Sequence, residues 1–210
     1  MTRSAVAVFA AIVAGGCGGG EQHQRQTFSA ADAKRIANVR PAMPGWVWPK
    51  SPEKRDSSDS SDGSESTDPL LVNLKRQTAD VVDIAEAGNK WRDDNKLANL
   101  SVEVSASSAD ARKAMAALNV FSRGWGERSG RVTKDEQIDN LGDEAWRLWT
   151  LGQGYEVTYH WRRGNLVLEA HVDCFGVCPG DLDSVDAATR AWVDAIDEAA
   201  RSATGSSRVE

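Results

Sequence analysis

The most constraining stretch of this chain runs from Gly154 to Asp173, GYEVTYHWRRGNLVLEAHVD, where large apolar residues alternate with polar ones on both sides of a single glycine. Successive side chains leave a strand in opposite directions, so a period of two marks strands with one buried face. With Arg163-Gly164 as a two-residue turn, Trp161 pairs with Leu166, Tyr159 with Leu168 and Val157 with Ala170, and all six apolar side chains share one face. The opposite face then carries Glu156 across from His171 and Thr158 across from Glu169, with His160 diagonal to Glu169. That face is expected to meet water or a ligand.

The flanking sequence supplies partners for this hairpin. Asp68 before Pro69 is an N-cap signal, and Leu70, Leu71, Leu74, Thr78, Val81, Val82 and Ala85 recur at helical spacing up to Gly88, predicting a first helix that ends there. A short strand is expected at Asn89–Asp93, and a second at Asn99–Ser105, where Leu100, Val102 and Val104 alternate with polar residues. Ser107 or Ser108 caps a second helix with the stripe Ala111, Met115, Leu118 and Phe121. Residues 122–143 are polar and glycine-rich and read as a long loop ending in the Gly142-Asp143 turn. Strands at Glu144–Thr150, Gly154–Trp161 and Asn165–Asp173 make a meander, closed by a helix from Asp183 to Ala203. The expected fold is α+β, an antiparallel sheet of about five strands with helices packed on one face, in the order α-β-β-α-β-β-β-α. Trp91-Arg92 with Asn99–Val104, and Trp161-Arg162 with Asn165–Ala170, suggest an internal strand-strand-helix duplication.

Residues 68–204 therefore form the folded domain, followed by a disordered tail at 205–210. Residues 51–67 are rich in Ser and Asp without large apolar side chains, which predicts a disordered linker. Before it, residues 29–50 pair a short helical turn with a Pro/Trp segment in which Trp46, Val47 and Trp48 are extended by Pro41, Pro44 and Pro49. Water disfavours such a segment. Trp46 and Trp48 are expected to dock on the chain's own domain, with contact to another protein, a ligand or the bilayer interface as the alternative.

A formal charge of −6 argues against a nucleic-acid partner. His160, Glu169, His171 and Glu156 are the residues best placed to converge, and two imidazoles with a carboxylate are a zinc-ligand set. A solvated face with cross-strand ion pairs is the preferred reading of the same four residues, so no metal and no cofactor are expected. Cys174 and Cys178 lack the two-residue gap of redox motifs and read as a structural disulfide before the Pro179-Gly180 reversal. The folded region shows no nucleophile elbow, phosphate-cradling loop, His-Glu-x-x-His helix or dinucleotide fingerprint, and the expectation is a protein that is not an enzyme.

At the N-terminus, Arg3 is followed by the apolar run Ser4–Ala14 and by Ala14-Gly15-Gly16 before Cys17. As a helix that run would rise only about 17 Å, too little to cross a bilayer core. Residues 1–16 resemble bacterial lipoprotein signal peptides, with Ala14 where that family usually carries Leu, Val or Ile. The resemblance implies cleavage before Cys17, diacylation of Cys17, and residues 17–28 as a flexible tether beginning with Gly18, Gly19 and Gly20. With the Ser/Asp-rich spacer, the Gly142-Asp143-Glu144-Ala145 turn and the Trp161–Asn165 hairpin, the chain resembles small extracytoplasmic lipoproteins of high-GC Gram-positive bacteria. That resemblance implies a domain lipid-anchored on the extracytoplasmic side of the cell membrane. The expected function is non-catalytic binding of, or assistance to, a small ligand or envelope protein; the alternative is a metal-dependent enzyme using the His160/His171 face.

Overall fold

The computed structural model describes residues 27–53 and 67–203. Cys17, the leader, most of the tether, the interior of the 51–67 linker and the 205–210 tail lie outside the described residues. The chain forms α1 (Ala30–Ala37), α2 (Pro69–Gln77), β1 (Asp83–Asp93), β2 (Lys96–Ser105), α3 (Ser108–Ser129), β3 (Arg131–Gln137), β4 (Glu144–Leu151), β5 (Gly154–Arg163), β6 (Leu166–Phe175) and α4 (Leu182–Ala203). One antiparallel sheet holds all six strands in the order β1-β2-β6-β5-β4-β3.

The β5/β6 hairpin buries the expected apolar face, but its register differs by two residues from the expected one. Trp161 faces Leu168, Tyr159 faces Ala170 and Val157 faces Val172, because the turn is Gly164-Asn165. Gly164 takes φ +59°, a conformation that favours glycine at the first turn position. Asn165 is drawn into the turn because its side chain is used elsewhere: Nδ2 donates to Ser105 O at 2.8 Å and to Phe28 O at 3.2 Å, and Oδ1 accepts from Phe28 N at 2.7 Å. A slip of two preserves which face each residue occupies while changing every cross-strand partner.

Two other expectations are corrected. The first helix stops at Gln77, where Thr78 Oγ1 donates back to Leu74 O. β1 then runs through Ala85, Ala87 and Trp91, and Gly88 is a strand residue, not a helix cap. A Cβ at Gly88 would stand 2.9 Å from Leu100 O, so the close approach of β2 needs a glycine there. The 122–143 loop is also absent as such: α3 continues to Ser129, and β3 follows as the sixth strand. Gly126, which reads as loop punctuation, is buried where α3 crosses β4, and a Cβ on it would approach Thr150 Oγ1 to 2.7 Å. β3 is a charged edge, RVTKDEQ, of the kind that discourages further pairing.

Helices cover both faces, not one. On the first face Trp91, Leu100, Val102, Tyr159, Trp161, Leu168 and Val172 pack with α1 and α4 residues such as Ile36, Trp192 and Ile196. Asp186 of α4 accepts from Tyr159 OH at 2.7 Å, Trp149 Nε1 at 2.9 Å and Arg147 at 2.6 Å. On the second face Val167 packs with Ala111, Ala114 and Met115 of α3. The matched strands of the suggested duplication lie around a centre where Val102 faces Leu168, flanked by Leu100–Ala170 and Val104–Leu166. A two-fold axis there would put the following helices on the same side, whereas α3 and α4 lie on opposite sides.

Residues 28–50 are part of this architecture. Ser29 and Asp32 cap α1 reciprocally, Phe28, Ile36, Met43, Trp46 and Trp48 enter the first-face core, and Trp192 Nε1 donates to Val39 O at 3.0 Å.

Candidate functional site

The second face of β5 and β6 carries the polar residues singled out by alternation. Period-two geometry places Glu156, Thr158 and His160 on β5 beside Glu169, His171 and Asp173 on β6, with His160 directly opposite Glu169, Thr158 opposite His171 and Glu156 opposite Asp173. α3 lies over part of this surface and divides the two histidines.

His160 sits beneath α3 and is only 3% exposed. Its Nδ1 is 2.8 Å from Asn119 Oδ1, and its Nε2 is 3.2 Å from Ser122 Oγ and 3.7 Å from Glu169. Burial pushes its pKa down, with neighbouring His171 adding to that and Glu169 opposing it. Ser122, His160 and Asn119 have the connectivity of a nucleophile, base and orienting amide. Ser122 stands inside α3, however, where the surrounding backbone N–H groups are committed to the helix ladder and cannot hold an oxyanion. The arrangement instead ties α3 to β5.

His171 lies beside the helix and is partly open. Thr158 Oγ1 is 2.9 Å from its Nδ1, Asp173 Oδ2 is 2.8 Å from its Nε2, and Glu156 Oε1 is 3.8 Å from Nδ1. Burial opposes its charge, yet Asp173, Glu156 and Glu169 outweigh that and raise its pKa to about 9. Glu156 is pushed up by desolvation, opposed by His171 and reinforced by Asp173 and Glu169. Ser129, in the last turn of α3, donates to Glu156 Oε2 at 3.3 Å.

The four residues expected to converge thus fall into two groups. Glu156 and His171 come together with Asp173, while Glu169 neighbours His160, which alone of the four is buried under α3. Asp173 is not among the residues the sequence singles out because the expected register puts His171, not Asp173, opposite Glu156. Asn119 and Ser122 share a helix face by their three-residue spacing, but the polar, glycine-rich 122–143 stretch reads as a loop from Ser122 on. One ring nitrogen of His171 and one carboxylate oxygen each from Glu156 and Asp173 lie within 4.8 Å of one another.

Trp46 and Trp48 are elsewhere. They stack with centroids 5.4 Å apart and are 8% and 4% exposed, so the indoles belong to the core while Val47 between them is 76% exposed. Cys174 and Cys178 lie at disulfide distance, with Cα atoms 5.6 Å apart, and Asn95 Nδ2 holds the loop between them by donating to Phe175 O and Val177 O.

Among the described residues, no helix is long and apolar enough to cross a membrane. No protein-family model and no curated protein matches the chain. Among solved structures, the extracellular domain of PknH from Mycobacterium tuberculosis is a distant match, with 12% identity, coverage of 82% of this chain and 93% of that one, and a TM-score of 0.35.

Proposed function

We propose that this chain is an exported domain, anchored through a lipid on Cys17, that binds a small ligand or an envelope protein without catalysing a reaction. Export is supported by the leader-like residues 1–16 and by a cysteine pair at disulfide distance, which persists in oxidising compartments. The observation that carries the binding role is the part of the second sheet face that α3 leaves accessible, where Glu156, Glu169, His171 and Asp173 cluster with side-chain exposures of 14–23%. Trp46 and Trp48 are stacked and packed into the chain's own core, which favours the second sheet face as the contact.

Position-specific photo-crosslinking in intact cells tests this. A photoreactive residue at Asn99, opposite His171 on β2, is expected to give a discrete adduct, and one at Val47 is expected to give none. Adducts from Val47 alone, or from neither position, would overturn the binding face. Cys17→Ser protein remaining in the detergent phase would overturn the anchor.

A further inference from the structure

We infer that Glu156, His171 and Asp173 form a binding site for a divalent transition-metal cation of the zinc type; this rests on the reading of the open sheet face as the binding surface and names its ligand. The donors come from adjacent strands: Glu156 and Asp173 face one another across β5 and β6, and His171 stands two residues from Asp173 on the same side. Their donor atoms lie within 4.8 Å of one another. A tetrahedral site with bonds of about 2.0–2.1 Å needs donor separations of roughly 3.3 Å.

Three further features favour a cation. Three carboxyl side chains, Glu156, Glu169 and Asp173, neighbour one imidazole on the same face. The last turn of α3 reaches the site through Ser129 on Glu156, bringing the negative end of a 22-residue helix toward it. Thr158 on His171 and Ser129 on Glu156 are outer partners that fix donor orientation, as metal sites require. The imidazole decides the class: calcium and magnesium take oxygen donors, whereas a histidine with two carboxylates suits zinc and its neighbours. Side-chain exposures of 17%, 18% and 14% for Glu156, His171 and Asp173 leave room for water to complete the coordination. His160 is not a ligand here, because Asn119 and Ser122, neither of them part of the set, hold both of its nitrogens, whereas the Nε2 of His171 faces Asp173, its co-ligand.

The test uses the full chain in detergent, stripped with a chelator, dialysed, and titrated with zinc sulfate against a chromophoric chelator. One zinc per chain is expected. His171→Ala and Asp173→Asn, each checked for native circular dichroism, are expected to weaken binding by at least about tenfold, while Asp194→Asn, in an exposed pair with Arg190 on α4, stays within roughly threefold of the parent. Absence of stoichiometric zinc in the parent chain overturns the inference, and so does unchanged affinity in both ligand variants. Because crosslinking from Asn99 does not depend on zinc, a chain that crosslinks there but takes up no zinc refutes the ion alone. One that takes up zinc but gives no crosslink refutes the wider reading of the face.

Discussion

The side chain of Asn165 clasps the backbone of Phe28 on both sides, accepting from its N–H at 2.7 Å and donating to its carbonyl at 3.2 Å, across 137 residues of sequence. Asn165 also donates to Ser105 O, so one buried amide joins the N-terminal segment, the end of β2 and the β5/β6 turn. Asn165→Ala would leave these backbone groups without partners at a cost of about 1–3 kcal/mol. For a domain of this size each kcal/mol shifts the melting temperature by about 2–4 °C. Thermal denaturation is expected to show a fall of about 2–12 °C, and an unchanged melting temperature would mean the clasp contributes nothing.

Gly126→Ala sets two opposing effects against each other. Alanine favours the helix by about 1 kcal/mol over glycine, but its Cβ would meet Thr150 Oγ1 at 2.7 Å and Val132 Cγ2 at 3.2 Å. Overpacking of about 1–3 kcal/mol is expected to win, giving a net loss. Thr150 Oγ1 is buried with no hydrogen-bond partner among the described residues, so trimming it to alanine relieves the clash cheaply. The double variant Gly126→Ala/Thr150→Ala should melt higher than the sum of the single effects; strict additivity would contradict the contact.

Asp186 and Asp194 lie on the same helix and should respond differently to Ala. Asp186 is buried and accepts from Tyr159, Trp149 and Arg147, and its removal leaves a largely shielded guanidinium and two buried donors short of a partner. A loss on the order of 3 kcal/mol is expected. Asp194 makes an exposed pair with Arg190, and its loss should stay within about 0.5 kcal/mol. Urea titration of both variants measures the contrast, and equal midpoints would refute it.

Glu103 gives stability a pH dependence whose sign can be derived. Desolvation, then Asp83 and Glu86, raise its pKa from 4.5 to about 8, so the folded chain keeps a proton that the unfolded chain releases. Its contribution is fully present below pH 4.5 and is lost as pH rises to about 8. Glu103→Gln removes that loss and should raise the melting temperature by a few degrees at pH 9 relative to the parent, with little difference at pH 4.5. A parent–variant difference that is the same at both pH values would show that Glu103 does not titrate this way.

Strands and helices whose signals are local were legible in advance. Alternation located β2, β4, β5 and β6, and caps located two helix starts: Asp68 accepts from Leu70 N and Ser107 from Asp110 N. β3 was not legible because polar and charged residues fill both of its faces apart from Val132, and Gly124, Gly126 and Gly130 before it look like loop residues. Only packing, of Gly124 against Leu70 and Gly126 against Thr150, shows why two of those glycines lie in a helix. The candidate site was half legible for a related reason. Period two assigned Glu156 and His171 to one face, but a register two residues off hid Asp173.

The amino-acid order by itself determined that β2, β4, β5 and β6 would be strands, which face of each would be apolar, and where the cysteines would meet, since these depend on neighbours a few positions away. Tertiary structure decided the register, the placement of α3 and α4 on opposite faces, and the burial of Trp46 and Trp48. It also separated a buried His160 from a partly open His171. Those outcomes depend on contacts between distant segments, such as Asn165 with Phe28, whose free energies exist only once the segments have met.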